Sequence, residues 1–175
     1  MIKIKYPVFN YFLIISLFTL LTTSCESLKK DPDYIGTWQF TEQITTDNLV
    51  YNTTRTLKLT KNTYEETYVI QRENSTSISE IYGMKGSLGL THTYLEFTLE
   101  ELGTCAVDNM DKCTGNVNWY GEGTSYWTNN FQYRHVEKAF RGEYEVTKNT
   151  MVLTRDMNND GDIEDTGEDI TFEMI

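Results

Sequence analysis

Beyond residue 33 the chain contains no proline and keeps a two-residue rhythm; its two prolines are Pro7 and Pro32. Runs rich in Thr, Tyr, Val, Ile and Phe follow one another, while helical periodicity is hard to find. Alternation with a period of two belongs to strands that bury one face. Proline cannot donate to a ladder, so its absence leaves the ladders uninterrupted. The pattern predicts strands near Ile35–Ile44, Val50–Thr60, Thr63–Arg72, Ile78–Tyr82, Gly86–Leu90, Tyr94–Leu99, Asn116–Tyr120, Tyr126–Tyr133, Gly142–Thr147, Met151–Arg155 and Glu168–Met174. A short repeat supports hairpins between them. Thr60-Lys61-Asn62-Thr63 recurs as Thr147-Lys148-Asn149-Thr150, each copy between two β-rich runs. Asn tolerates the left-handed backbone of tight turns, and Lys keeps a tip solvated. The expected fold is all-β: an antiparallel meander that closes into an up-and-down barrel or packs as two sheets.

The N-terminus has a different character. Lys3 and Lys5 precede the apolar run Val8–Leu21, and Thr22, Thr23, Ser24 and Cys25 follow it. A positive start before a short apolar stretch is the layout of an export signal. The stretch is shorter than the roughly 20 residues a spanning helix needs. A cysteine directly after a small residue at the end of such a stretch resembles the bacterial lipobox, although Thr22 stands where a strict lipobox has Leu. The resemblance implies cleavage before Cys25 and lipid on its thiol and new amine. Each buried methylene contributes about 0.8 kcal/mol, so several acyl chains hold firmly. An ordinary cleaved signal and a retained membrane helix are the alternatives. The expected organisation is a signal over 1–24, a lipidated cysteine and polar tether over 25–33, and one domain over 34–175. The expected location is the cell envelope, in the outer membrane, facing the periplasm or the outside.

Losing the two signal lysines takes the formal charge from −11 to −13. Such a charge argues against nucleic acid and against lying flat on anionic lipid. Two cysteines remain, Cys105 and Cys113, and export would bring them to an oxidising compartment where pairing is expected. Free thiols or a metal pair are the alternative.

The first expected strand opens Tyr34-Ile35-Gly36-Thr37-Trp38. Gly36-x-Trp38 resembles the G-x-W signature of lipocalins and of bacterial lipocalin-like lipoprotein domains. The resemblance implies a barrel of about eight or more strands, with Trp38 across the closed end and Gly36 easing the strand past it. It also implies a late-strand Arg stacked on that Trp. Arg155 is the nearest candidate, with Arg141 behind it. A different sandwich or barrel with Trp38 in its core is the alternative. Leu102–Arg141 departs most from the family layout.

Asp156-Met157-Asn158-Asn159-Asp160-Gly161-Asp162 reads D-x-N-x-D-G-D. Oxygen ligands at alternate positions and a turning Gly can wrap calcium, as in the first half of an EF-hand loop, which this stretch resembles. Asp156, Asn158, Asp160 and Asp162 are the candidate ligands, with Asp165 or Glu168 completing the set, since Gly167 stands where the bidentate Glu would be. Residues 156–169 hold seven acids and no base, a repulsion a cation would relieve. A solvated acidic hairpin is the other reading. Calcium here would be structural.

His92 and His135 are the only histidines, and neither has a nucleophile beside it. No nucleophile elbow, zinc-helix or phosphate-loop motif occurs, so catalysis is not expected. Aromatics gather from Trp119 through Tyr126, Trp127 and Tyr133 to Phe140. They read either as core or as a wall for a ligand. The function expected is binding of a small apolar or amphipathic ligand by a membrane-anchored barrel. The alternative is a non-catalytic, or carbohydrate-binding, module of an envelope or surface complex.

Overall fold

The computed structural model describes residues 32–92, 94–131, 137–156 and 168–175. Among the described residues are nine strands: β1 (Gly36–Thr46), β2 (Leu49–Leu59), β3 (Thr63–Arg72), β4 (Ile78–Thr91), β5 (Tyr94–Val107), β6 (Cys113–Gly121), β7 (Ala139–Thr147), β8 (Thr150–Arg155) and β9 (Asp169–Met174). Among the same residues a short helix, α1 (Ser125–Asn130), lies between β6 and β7. The strands lie in the order β4-β3-β2-β1-β9-β8-β7-β5-β6, all pairs are antiparallel, and β4 also pairs with β5, which closes the sheet.

Nine strands make an eight-strand barrel because β6 and β7 share one place. Both lie along the same edge of β5: Glu101–Val107 pairs with β6, and Tyr94–Thr98 pairs with β7. They run in the same direction, as one strand interrupted by the excursion that carries α1. The handover coincides with a bulge. Gly86 faces Leu99 and Lys85 faces Glu101, which leaves Glu100 as the extra residue on β5. Gly86 is needed there, since a Cβ would lie 1.9 Å from the Thr98 carbonyl oxygen. Bulges of this kind bend a strand and end a pairing.

The expected strand Tyr94–Leu99 runs on as β5 to Val107, and two further stretches differ from the expectation. Ile78–Tyr82 and Gly86–Leu90 belong to the single long strand β4. Tyr126–Tyr133 was expected as a strand, but Ser125–Asn130 is helical. Gly123 turns the chain at φ +89°, and the Thr124 hydroxyl caps the helix by accepting the Trp127 N–H at 3.2 Å. Cap and turn win over β-rich composition because the chain has left the ladder, so no strand beside it offers pairing.

The hairpins follow local chemistry. Asp47 and Asn48 both take positive φ between the paired ends Thr46 and Leu49, the geometry of a two-residue turn matched to strand twist. In the repeat, the flanking threonine hydroxyls bond to one another, Thr60 to Thr63 at 2.7 Å and Thr147 to Thr150 at 2.6 Å. The positive φ in the second copy belongs to Lys148, not to the Asn.

The closed end holds the main core: Trp38, Leu57, Leu59, Tyr64, Leu88, Leu95, Phe97, Met151, Leu153 and Phe172 are all buried. Trp38 is fully buried, and its indole N–H donates to the Tyr34 carbonyl at 2.8 Å. Tyr34, itself buried, meets Tyr144 edge to face, so the chain entering β1 packs against the base of the barrel. Fully burying one such side chain contributes about 1.5–3 kcal/mol.

Candidate functional site

Cross-strand partners share a face, so the interior can be followed row by row from the closed end. The deepest of these rows, Leu59, Tyr64, Gly86 and Leu99, is buried. The next runs Trp38, Leu57, Glu66, Met84, Leu102 and Tyr120, and only Met84 and Tyr120 are half-buried. The third runs Phe40, Arg55, Tyr68, Tyr82, Thr104 and Asn118. None of it is fully buried, and Tyr82 is 40% exposed. Above that, Glu42 and Glu80 are exposed and Thr53 alone is buried. Inward-facing residues gain exposure toward one end, as the wall of a cup does.

The opposite wall is shorter. β8 and β9 have six residues each, against 14 in β4 and in β5. β9 pairs with β1 only through Trp38–Met174 and Gln39–Glu173.

A charged cluster lies at the boundary between filled base and open end. Glu66 accepts bonds from both guanidiniums: the Arg55 Nε–H, and both terminal nitrogens of Arg155 at 3.1 Å each. Glu66 is 3% exposed, Arg155 4% and Arg55 12%. Arg155 lies flat across β7 because its partner there is Gly142, where a Cβ would approach the Arg155 Cγ to 2.8 Å. Its guanidinium also sits over the stacked rings of Phe97 and Phe140, at 5.8 and 5.4 Å.

Two polar atoms here are buried without a hydrogen-bond partner: the Arg155 Nε and the Tyr64 hydroxyl. Burial pushes the Tyr64 hydroxyl far above the usual tyrosine range, with Glu66 and then Glu100 adding to the effect. Glu168, also 3% exposed, is next to the cluster in the ladder, and its carbonyl accepts the Arg155 N–H at 3.2 Å.

The excursion carrying α1 returns to this end. Trp127 packs on Leu99 and Leu102, with Met84, Tyr126 and Phe131 around it. Its ring stacks on Phe131 at 5.1 Å, and Tyr126 stacks on Tyr120 at 4.4 Å. Met84 touches this cluster and the main core alike, so α1 packs over inward-facing residues beside the cup.

The structure separates the aromatics grouped by the sequence. Tyr126 and Trp127 lie on α1, while Trp119 is on the outer face of β6, across Gly83 and Gly103 and under the Lys85 ammonium at 4.7 Å. Tyr133 lies outside the described residues. The partner expected for Trp38 also differs: Arg155 stacks on Phe97 and Phe140 and reaches Glu66, because it ends β8 well above the base where Trp38 lies. Arg141 lies over Tyr94. Gly36 stands at the start of β1, where a Cβ would lie 3.4 Å from the Met174 methyl.

Cys105 and Cys113 form a disulfide, as expected, with Cα atoms 5.6 Å apart. Of the acidic loop, Asp156 and Glu168 are described; Asn158, Asp160, Asp162 and Asp165 lie outside the described residues, as do Cys25 and His135. His92 stands exposed in the β4–β5 turn at φ 55°, not in a strand.

Arg55, Glu66 and Tyr64 were not singled out by the sequence. A signal was present, since Arg55 and Glu66 occupy the apolar phase of their strands, in step with Leu57 and Leu59, and with Tyr64. A charge in that phase marks an interior polar site.

Fold and site together define a class: a closed, eight-strand, antiparallel up-and-down barrel, compatible with a lipocalin-like calycin fold, with a charged floor beneath an open end. No protein-family model matches the chain, and no curated protein matches it in sequence.

Proposed function

We propose that this chain is a lipid-anchored binding protein of a bacterial envelope, taking a small apolar or amphipathic molecule into the open end of its barrel. The rising exposure of inward-facing residues carries the reading. A barrel filled throughout would bury Tyr68 and Tyr82 as it buries Leu57. Half-buried Tyr68 and Tyr120, with exposed Tyr82, supply the aromatic surface such sites use. The anchor rests on the signal-like N-terminus and Cys25, and outer-membrane placement is part of the same proposal. No catalytic step is included. Calcium in the acidic loop would stiffen the β8–β9 connection.

Native mass spectrometry of the gently purified protein tests this. Extra mass that leaves on denaturation and enters organic solvent supports the binder. A bare polypeptide, from material never exposed to detergent, overturns it. A mass of diacylglycerol and acyl size on Cys25 supports the anchor, and an intact N-terminus overturns it. A calcium-sized increment lost to chelator supports the metal.

One observation favours the second reading, an accessory module in an envelope or surface complex. The disulfide-bonded β5–β6 hairpin presents Val107 and Met110 at 57% and 65% exposure. A bare mass together with a partner cross-linked at that tip would support it.

A further inference from the structure

We infer that the Arg55–Glu66–Arg155 cluster anchors the oxygen head of an amphipathic ligand, an acceptor-only group for which carboxylate is the best match. The inference rests on the barrel being a binder and adds which end of the ligand enters first.

Donors outnumber acceptors at the floor. A guanidinium carries five N–H groups and no acceptor. Glu66 receives one bond from Arg55 and two from Arg155, and the Arg155 Nε–H has no partner although Arg155 is 96% buried by its 4% exposure. The Tyr64 hydroxyl, from a side chain just as buried, is a second donor without an acceptor. Tyr64 meets Phe97 edge to face at 5.0 Å, and Arg155 lies over that same ring, so the two donors share one neighbourhood. A buried donor left unmade is costly, and a ligand oxygen would recover the lost bond.

Charge does not do this work alone. The two arginines share the buried carboxylate of Glu66, and buried Glu168 meets the Arg155 backbone, so the site selects through directed donors. Carboxylate matches because its two oxygens meet a guanidinium fork in parallel and accept more bonds than a carbonyl does. The ligand body then has one direction to take. The row below Glu66 is filled by Leu59, Tyr64 and Leu99, and the row above it holds Phe40, Tyr68 and Tyr82. The head goes inward and the apolar body lies along the tyrosines toward Trp127.

The test is calorimetric titration of the full chain with three matched probes: decanoate, methyl decanoate and decyltrimethylammonium. The expected result is decanoate at least about tenfold tighter than the ammonium, as one charge-assisted bond implies. Methyl decanoate is expected in between, as a neutral acceptor. Arg55→Met, which removes the half-buried partner, is expected to erase the preference for decanoate while sparing the ammonium. Glu66→Gln is expected to tighten decanoate severalfold, because a competing acid is gone. Equal binding of all three overturns the anchor and leaves the barrel a binder. Tighter ammonium, or a Glu66→Gln variant that weakens decanoate, also overturns it. Binding of none overturns the anchor and the binding reading together.

Discussion

At the scale of single residues, the buried polar groups separate packing from function. Tyr64 meets the stacked rings of Phe97 and Phe140 edge to face, at centroid distances of 5.0 and 6.1 Å, while its hydroxyl has no partner. Tyr64→Phe keeps the ring contacts and removes a desolvated donor. The expected outcome is stability unchanged or raised by up to about 1 kcal/mol in urea unfolding. The same change is expected to weaken decanoate, since it removes the second donor of the anchor. Alkaline pH gives a second check. Burial raises the Tyr34, Tyr64 and Tyr144 hydroxyls above their ordinary value. A group whose folded pKa is raised contributes its full stability below the unfolded value. That contribution falls as pH climbs past about 10, where unfolded tyrosines ionise. The unfolding midpoint is therefore expected to drop above that pH, and ultraviolet titration should show Tyr64 ionising only with unfolding. Gly142→Ala belongs to this scale too. The new methyl meets Arg155 Cγ and Leu153 Cδ1 within 3 Å. The expected loss is about 1–3 kcal/mol, with a weakened grip on Glu66.

Among the elements, the split strand organises the open end. β6 and β7 both depend on β5, and the excursion between them brings Trp127 onto Leu99 and Leu102. Trp127→Ala removes a 6%-exposed side chain from that cluster. The expected cost is about 3 kcal/mol, read from the denaturant midpoint. Replacing residues 122–138 with a short turn should leave the base of the barrel intact, because Trp38, Met151 and Phe172 make no use of α1. Hydrogen exchange would then show protection kept in β1, β8 and β9 and lost in β6. On the outer face, Trp119 covers Gly83 and Gly103, and a Cβ at Gly103 would meet its ring at 2.8 Å. The ring fills the place of two missing side chains, and this explains Trp119 without a ligand.

For the whole molecule, two features act at a distance. The disulfide spans a sequence separation of 8 at the tip of β5 and β6. Chain entropy alone gives about 2.5 kcal/mol for such a loop. A Cys105→Ala, Cys113→Ala double variant is expected to lose about that much and to keep the barrel circular dichroism. The second feature is net charge. At −11 over the full chain, the body repels anions at long range. A carboxylate held by buried guanidiniums should therefore bind as well or better as salt rises, since screening removes the repulsion and barely touches the floor. Binding that weakens steeply with salt would place the anion on surface lysines instead.

The strands, most hairpins, the disulfide and the buried role of Trp38 follow from the sequence alone, because alternation, turn chemistry and cysteine spacing act within a few residues. Even Arg55 and Glu66 left a trace, as charges in the apolar phase of β2 and β3. Tertiary structure decided the rest. Arg155 and Glu66 are 89 residues apart, and only closure of β4 on β5 brings β8 across from β3. Nothing local tells β6 and β7 that they share one edge of β5, or that Ser125–Asn130 must coil once it has left the ladder. Nor does it tell Trp119 and Trp127 to take opposite faces of the wall. Ladder pairing is a long-range choice, fixed by which strands remain unpaired when the barrel closes, and the site at its mouth inherits that choice.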